Sequence, residues 1–285
     1  MITESFLKDL EKFVLITKKR ITSKYSGSRK SILGGRGLTI KEYRPYTIGD
    51  DIRLIDWKVY AKTDDLFIKV YEEDKDLSIN VILDSTLSMS YGKSITKFDY
   101  SSMISAAFLF LALKENERFR YSFIHDDIEV YNLKRGKKHF AEFVSIVNHK
   151  KPKGKLDLYS SIEKQKKFLK QKSMIILISD FLFPLEEIEK SLFLLKNHEV
   201  ILVRVLDEEE YNPSFLGDYK LKNKELEIEK KVFLDENILK EYKKKLLEHE
   251  NNIRKVCNNL KFEFYSFTTK KPIFDTLYEM FNKKI

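Results

Sequence analysis

The run VILDSTLSMS, residues 81–90, contains residue types that could bind a metal ion or accept a phosphate. Strand-forming aliphatic residues lead into Asp84, and the hydroxyl residues Thr86 and Ser88 follow it at alternate positions. In an irregular loop these three side chains can turn their oxygens toward one point. Carboxylate and hydroxyl oxygens are the hard ligands that Mg²⁺ prefers, and they also suit Mn²⁺. The simpler alternative is a polar turn that caps the following helix.

A second predicted strand ends in a further carboxylate. Asp180 follows the run MIILIS and is preceded by Ser179. In an open α/β sheet, ligands bind in the crevice beyond the carboxyl ends of the strands. We therefore expect Asp180 to lie at the same edge as Asp84 and to complete a divalent-ion site through a water molecule.

The carboxylate of Asp84 could also belong to a phosphoryl-transfer or phosphatase-like enzyme, since an aspartate at a strand end can be a phosphoryl acceptor. Dehalogenase-like phosphatases need a second acid two residues later, and Thr86 occupies that position. Receiver domains need an acidic pair at the end of another strand, whereas Asp74 and Asp76 precede the same strand. We therefore expect no catalytic activity and keep the enzyme as the alternative.

Alternating strands and helices must position these residues. Strands are predicted at 77–84, 118–126, 174–180, 199–207 and 262–268, with a hairpin within 215–234. Helices are predicted at 96–115, 138–148, 158–171, 185–196, 236–258 and 272–283. Strands separated by helices indicate crossover units and a mainly parallel sheet that is covered on both faces. The pattern predicts a doubly wound α/β domain over residues 77–285.

Two further parts precede this domain. Residues 1–37 read as a leading helix, at 3–19, followed by a basic loop that contains Arg29, Lys30 and Arg36. Residues 38–76 contain two short runs of alternating apolar and polar residues, which are typical of half-buried strands and predict a small β element. The basic loop keeps a nucleic-acid-binding protein open as a second alternative.

Composition limits the class of protein. The 285 residues include 42% hydrophobic and 34% charged residues, so the chain is expected to be globular and not disordered. The formal charge is +9, but lysines alternate with acidic residues along most of the chain, which favours a solvated surface. Cys257 is the single cysteine, which excludes an internal disulfide and predicts a cytoplasmic protein. The longest apolar run, 103–113, is about half the length that a membrane span needs.

The segment 37–74 carries the densest motif of the chain. Its key residues are Arg44, Tyr46, Gly49, Asp50, Asp51, Arg53, Ile55, Asp56, Trp57 and Ala61. This hallmark motif resembles that of a bacterial family known as domain of unknown function 58, and the likeness continues through LDSTLSM and KFDYSSMISAAFLFLAL. From the residue types alone, we expect the arginines to pair with the aspartates in a network that packs around Trp57.

The strand-end residues carry a second resemblance. Asp84-Ser-Thr-Leu-Ser88 resembles the D-x-S-x-S motif of von Willebrand factor A domains, and ILISDF resembles the acidic motif of their fourth strand. The resemblance implies a von Willebrand factor A type of fold and a metal-ion-dependent adhesion site formed by Asp84, Thr86, Ser88 and Asp180. Leu156 stands where those domains have a threonine ligand. The implied Mg²⁺ or Mn²⁺ site is therefore expected to be weak.

The family likeness also implies a function. Relatives are thought to act with MoxR-type AAA+ ATPases as adaptors that assemble or activate other proteins. The resemblance thus implies a non-catalytic protein-interaction module, an adaptor or co-chaperone that serves a client protein. An acidic side chain of the partner would fill an open coordination position on the bound ion.

Overall fold

The computed structural model describes residues 1–26, 40–71, 78–169, 172–213, 215–223 and 228–282. The chain divides into two compact units, one of Met1–Ile16 with Leu77–Ile285 and one of Thr17–Asp76. The basic loop with Arg29, Lys30 and Arg36 lies outside the described residues, as do the predicted boundaries at 37–38 and 76–77. The three-part division therefore stays a prediction.

The strands, numbered along the chain, are β1 Ile40–Pro45, β2 Phe67–Tyr71, β3 Ile79–Asp84, β4 Phe119–Ile124, β5 Ile128–Val130, β6 Met174–Ser179, β7 Glu199–Leu206, β8 Gly217–Asn223, β9 Ile228–Leu234 and β10 Glu263–Thr268. The helices are α1 Glu4–Ser26, α2 Trp57–Thr63, α3 Lys97–Lys114, α4 Lys137–His149, α5 Leu158–Lys166, α6 Leu185–Phe193, α7 Glu208–Tyr211, α8 Glu236–Leu260 and α9 Ile273–Asn282. Short 3₁₀ turns lie at Ile52–Leu54 and Leu87–Ser90.

The larger unit is built on a six-stranded sheet in the order β10-β7-β6-β3-β4-β5. All neighbouring strands are parallel except β5, which pairs antiparallel with β4 at one edge. Counted from β3 as the first strand, this is the doubly wound order 3-2-1-4-5-6. The predicted doubly wound, mainly parallel α/β fold is therefore confirmed. The order reverses between β3 and β6, the two strands that lead into Asp84 and Asp180.

Burial explains why the central elements have such apolar sequences. All six residues of β6 are buried, as expected for a parallel strand that is covered on both faces. Helix α3 is buried along most of its length and apolar on nearly every side, because it packs against the sheet between other elements. Within the described residues, no helix combines the length and the apolar character that crossing a membrane requires.

The smaller unit contains an antiparallel pair, β1 and β2, with a 3₁₀ turn and α2 between them. The two strands agree with the predicted small β element, whereas helix α2 was not predicted. Side chains start both helical segments: Asp51 accepts from the Arg53 amide, and Asp56 accepts from the Lys58 amide. These carboxylates accept hydrogen bonds from first-turn amides that have no partner within the helical segment itself.

A candidate site at the carboxyl ends of the strands

Asp84 lies at the end of β3 with no exposed surface, and both oxygens of its carboxylate accept hydrogen bonds. One oxygen, Oδ1, accepts from the Thr86 amide at 2.9 Å and from Thr86 Oγ1 at 2.7 Å. The other, Oδ2, accepts from Ser179 Oγ at 2.6 Å. The hydroxyl of Ser88 lies 3.0 Å from that of Thr86. The structure thus brings Asp84, Thr86 and Ser88 together around one point.

Asp180 lies at the same edge of the sheet, directly after β6, and its partner is a lysine. Lys97, the first residue of α3, is fully buried, and its Nζ lies 2.9 Å from Asp180 Oδ2. The same Nζ lies 2.9 Å from Glu210 Oε1 on α7. The sequence predictions missed Lys97 and Glu210. The available signal was a lysine at the start of a helix that is otherwise largely apolar.

Burial and charge shift the pKa values of these groups. Burial, and secondly the nearby charge of Asp180, raise the pKa of Asp84 to about 7. Burial alone would lower the pKa of Lys97, but the carboxylates of Asp180 and Glu210 outweigh it, so the pKa of Lys97 is raised. Burial raises the pKa of Glu210. The site therefore contains a charged ammonium that two carboxylates surround.

A third loop, residues 150–157, packs against the loop that follows β3. The Leu87 amide donates to the Gly154 carbonyl at 3.1 Å, and the Lys153 amide donates to the Ser85 carbonyl at 2.9 Å. The resemblance to von Willebrand factor A domains implies a ligand from this loop. Leu156, however, supplies no oxygen and packs against the hydrophobic core.

These residues do not fit a divalent ion that Asp180 helps to hold. The carboxylate of Asp180 is already paired with the buried ammonium of Lys97, and Leu156 replaces one expected ligand. Weak binding of Mg²⁺ or Mn²⁺ stays a prediction.

The hallmark motif forms ion pairs between neighbouring residues. Arg44 donates two hydrogen bonds to the carboxylate of Asp50, at 2.9 and 2.6 Å. Arg53 pairs with Asp51 at 2.8 Å. Gly49 has a φ of +109°, which the turn before Asp50 requires and other residues resist. Tyr46 continues the strand pairing, because its amide donates to the Leu66 carbonyl at 2.8 Å.

The predicted packing of the arginine network around Trp57 is wrong. Asp56 is buried, but its described partners are the Lys58 amide at 2.9 Å, the Tyr43 hydroxyl at 3.1 Å and Lys69 Nζ at 3.2 Å, and none is an arginine. The side chain of Trp57 is 60% exposed. The physical reason is that Arg44 and Arg53 pair with Asp50 and Asp51. Asp56 meets Tyr43 of β1 and Lys69 of β2 instead.

Comparison with known proteins finds relatives that span nearly the whole chain. An uncharacterized protein of Mycobacterium tuberculosis is 22% identical over 263 residues, which cover 90% of this chain and 83% of that protein. An uncharacterized protein of Mycobacterium bovis matches to the same extent.

Solved structures resemble the larger part of the chain. The conserved hypothetical protein BatB from Bacteroides thetaiotaomicron has a TM-score of 0.44 and 11% identity, covering 71% of this chain and 96% of that one. The SpRpn10 VWA domain has a TM-score of 0.46 and 12% identity, covering 73% and 98%. The sequence pattern of the family described as "Protein of unknown function DUF58" matches residues 42–252, most of the chain, and the chain therefore belongs to this family.

Proposed function

We propose that this chain is a non-catalytic protein-interaction module that acts as a cytoplasmic adaptor for a MoxR-type AAA+ ATPase. The observation that carries the proposal is the exposed Trp57 in the hallmark motif, on a frame of ion pairs. What supports the ATPase as partner is the family resemblance, and the client protein that both would serve is left open.

The surface around Trp57 has the composition of a binding surface. Ile52 is 62% exposed, and Tyr60 packs edge-on against the Trp57 ring with their centres 6.1 Å apart. Lys58 and Lys62 lie four residues apart on α2 and are exposed. Tryptophan and tyrosine are enriched among the few residues that carry most of the binding energy of protein interfaces. We therefore expect Trp57 to enter a pocket of the ATPase whose rim is acidic.

The frame explains how this surface is kept in place. Asp50 and Asp51 each pair with an arginine, and these pairs fix the turn that leads into α2. The hydrogen bonds from the Arg44 guanidinium lower the pKa of Asp50, so this carboxylate is charged at neutral pH. A rigid frame reduces the loss of conformational freedom when a partner binds. The charged residues of the hallmark motif thus hold the turn from which Trp57 is exposed to a partner.

The environment of Asp84 supports the non-catalytic part of the proposal. A phosphoryl acceptor must be reached by its substrate, and the carboxylate of Asp84 has no exposed surface. Both of its oxygens accept hydrogen bonds from neighbouring hydroxyl groups. Thr86 also stands where a general acid would be required. A phosphatase activity is therefore not expected.

The test is a binding titration between the full chain and a purified MoxR-type ATPase from the same genome. We expect Trp57→Ala to weaken binding by about 30-fold, the usual loss at a central interface tryptophan. Its thermal midpoint should stay unchanged, because the side chain is exposed. Tyr278→Ala is the matched control, since Tyr278 is an aromatic residue with 53% exposure in the larger unit. Equal affinities of wild type and Trp57→Ala would contradict the proposal.

A further inference from the structure

Helix α3 places a positive charge beside the carboxylate to which the resemblance assigns a metal contact. Lys97 has no exposed surface, and its ammonium joins Asp180 after β6 to Glu210 on α7, at 2.9 Å each. A buried ammonium is retained only where carboxylates compensate for its lost hydration. Lys97 therefore neutralises a carboxylate that a divalent ion would need.

Hydrogen bonds already join the loops around Asp84, although the loop of residues 150–157 supplies no metal ligand. Thr86 bonds to Asp84 through both its amide and its hydroxyl, and Ser179 bonds to the other oxygen of Asp84. The Leu87 amide reaches the loop of residues 150–157 through the Gly154 carbonyl. These direct hydrogen bonds tie together three loops that a shared metal ion would otherwise connect.

Glu210 extends the effect of Lys97 to the next strand. Its second oxygen, Oε2, accepts from the Asp207 amide at 3.0 Å, which closes the cap of α7 directly after β7. Asp207 in turn accepts from Thr269 Oγ1 at 2.8 Å, just beyond β10. The ammonium of Lys97 is thus the centre of a network that runs across the ends of β6, β7 and β10.

We propose that Lys97 is the resident cation of this strand-end site and that the site keeps its structure without a divalent metal ion. Lys97 balances the charge of Asp180 and holds α3 and α7 against the sheet. The inference concerns the ion alone, so it stands or falls independently of the partner that binds Trp57.

The first test is thermal unfolding of the full chain in EDTA, in Mg²⁺ and in Mn²⁺. A site with a dissociation constant near 1 mM would raise the midpoint by about 3 °C at about 10 mM Mg²⁺. We expect the wild-type midpoint to change by less than about 1 °C, because no ion binds specifically to the folded chain. Asp84→Asn serves as the site control.

The second test removes the proposed cation. We expect Lys97→Met to lower the midpoint in EDTA by on the order of 10 °C, because Asp180 and Glu210 then face each other without a counter-charge. Lys114→Met is the matched control at the other end of α3, where the ammonium pairs with Glu11 at the surface, and we expect a small change. If Lys97→Met does not fold, Lys97→Arg takes its place, because it retains the positive charge. We expect Lys97→Arg to fold and its thermal midpoint to be unchanged by Mg²⁺.

Two outcomes would overturn the proposal. One is a rise of about 3 °C or more in the wild-type midpoint with Mg²⁺ or Mn²⁺ that Asp84→Asn abolishes, because the resident cation would then be the metal. The other is a Lys97→Met midpoint equal to that of Lys114→Met. A metal-induced rise that is equally large in Asp84→Asn comes from other sites and leaves Lys97 as the resident cation.

Discussion

Asp84, Thr86 and Ser88 could be predicted as a cluster because they lie within five residues of one another, after a strand that is easily recognised. Their hydrogen bonds follow from that local geometry. The partners of Lys97 could not be predicted, because Asp180 and Glu210 lie 83 and 113 residues further along the chain. Residue type alone favoured pairing of Asp56 with an arginine, whereas the fold places Lys69 beside it.

The raised pKa of Asp84 predicts a pH-dependent effect of removing its charge. The folded-state pKa is about 7, above the ordinary value, so Asp84 stabilises the fold fully below about pH 4 and loses this contribution as the pH rises toward 7. Asp84→Asn is neutral at every pH. Relative to wild type, we therefore expect the variant to gain on the order of 2 kcal/mol in unfolding free energy between pH 5 and pH 8.

Urea unfolding of both proteins at the two pH values measures this difference. Because both proteins carry the same other carboxylates, subtracting one from the other removes the pH dependence of the groups that do not interact with Asp84. A wild-type-to-variant difference that is the same at pH 5 and pH 8 would show that Asp84 has an ordinary pKa.

At the scale of elements, the length of a helix or strand determined whether its type could be predicted from the sequence. Strand β6 and helix α3 show their type clearly, because a buried apolar run and an eighteen-residue apolar helix leave few alternatives. Helices α2 and α7, with seven and four residues, are too short to show a periodicity. Asp56 and Asp207 cap their first turns. Strand β5, with three residues, depends on its pairing with β4.

The loop of residues 150–157 gives the element-scale prediction. Gly154 has a φ of +68°, and a Cβ added there would lie 1.9 Å from Asp126 Oδ2. Asp126 cannot move freely, because its other oxygen accepts from the Lys155 amide at 3.0 Å. We expect Gly154→Ala to cost about 2–4 kcal/mol of unfolding free energy, from backbone strain and overpacking together.

A double-mutant cycle separates the two causes of that loss. In an Asp126→Ala background the overpacking is relieved and only the backbone strain remains, so Gly154→Ala should cost at least about 1 kcal/mol less there. Chemical denaturation of the four proteins provides the comparison. An identical cost in both backgrounds would mean that Asp126 does not restrict this loop.

At the scale of the whole molecule, the two units carry different features. The larger unit has the doubly wound order with Asp84 and Asp180 on either side of the point where the strand order reverses, a place where such folds bind ligands. In this protein the ammonium group of Lys97 lies at that position and pairs with Asp180. The smaller unit presents the hallmark motif, whose residue pattern could be recognised from the sequence although its exposed tryptophan could not.

The exposed tryptophan makes the central claim directly measurable, because Trp57 is the only tryptophan in the chain. Labelling the full chain with 5-fluorotryptophan therefore gives a single ¹⁹F resonance that reports on the hallmark surface. We expect this resonance to shift and become protected from solvent in a saturable way as a MoxR-type ATPase is added. A resonance that stays unchanged at ATPase concentrations up to the solubility limit would contradict the claim that Trp57 docks this partner.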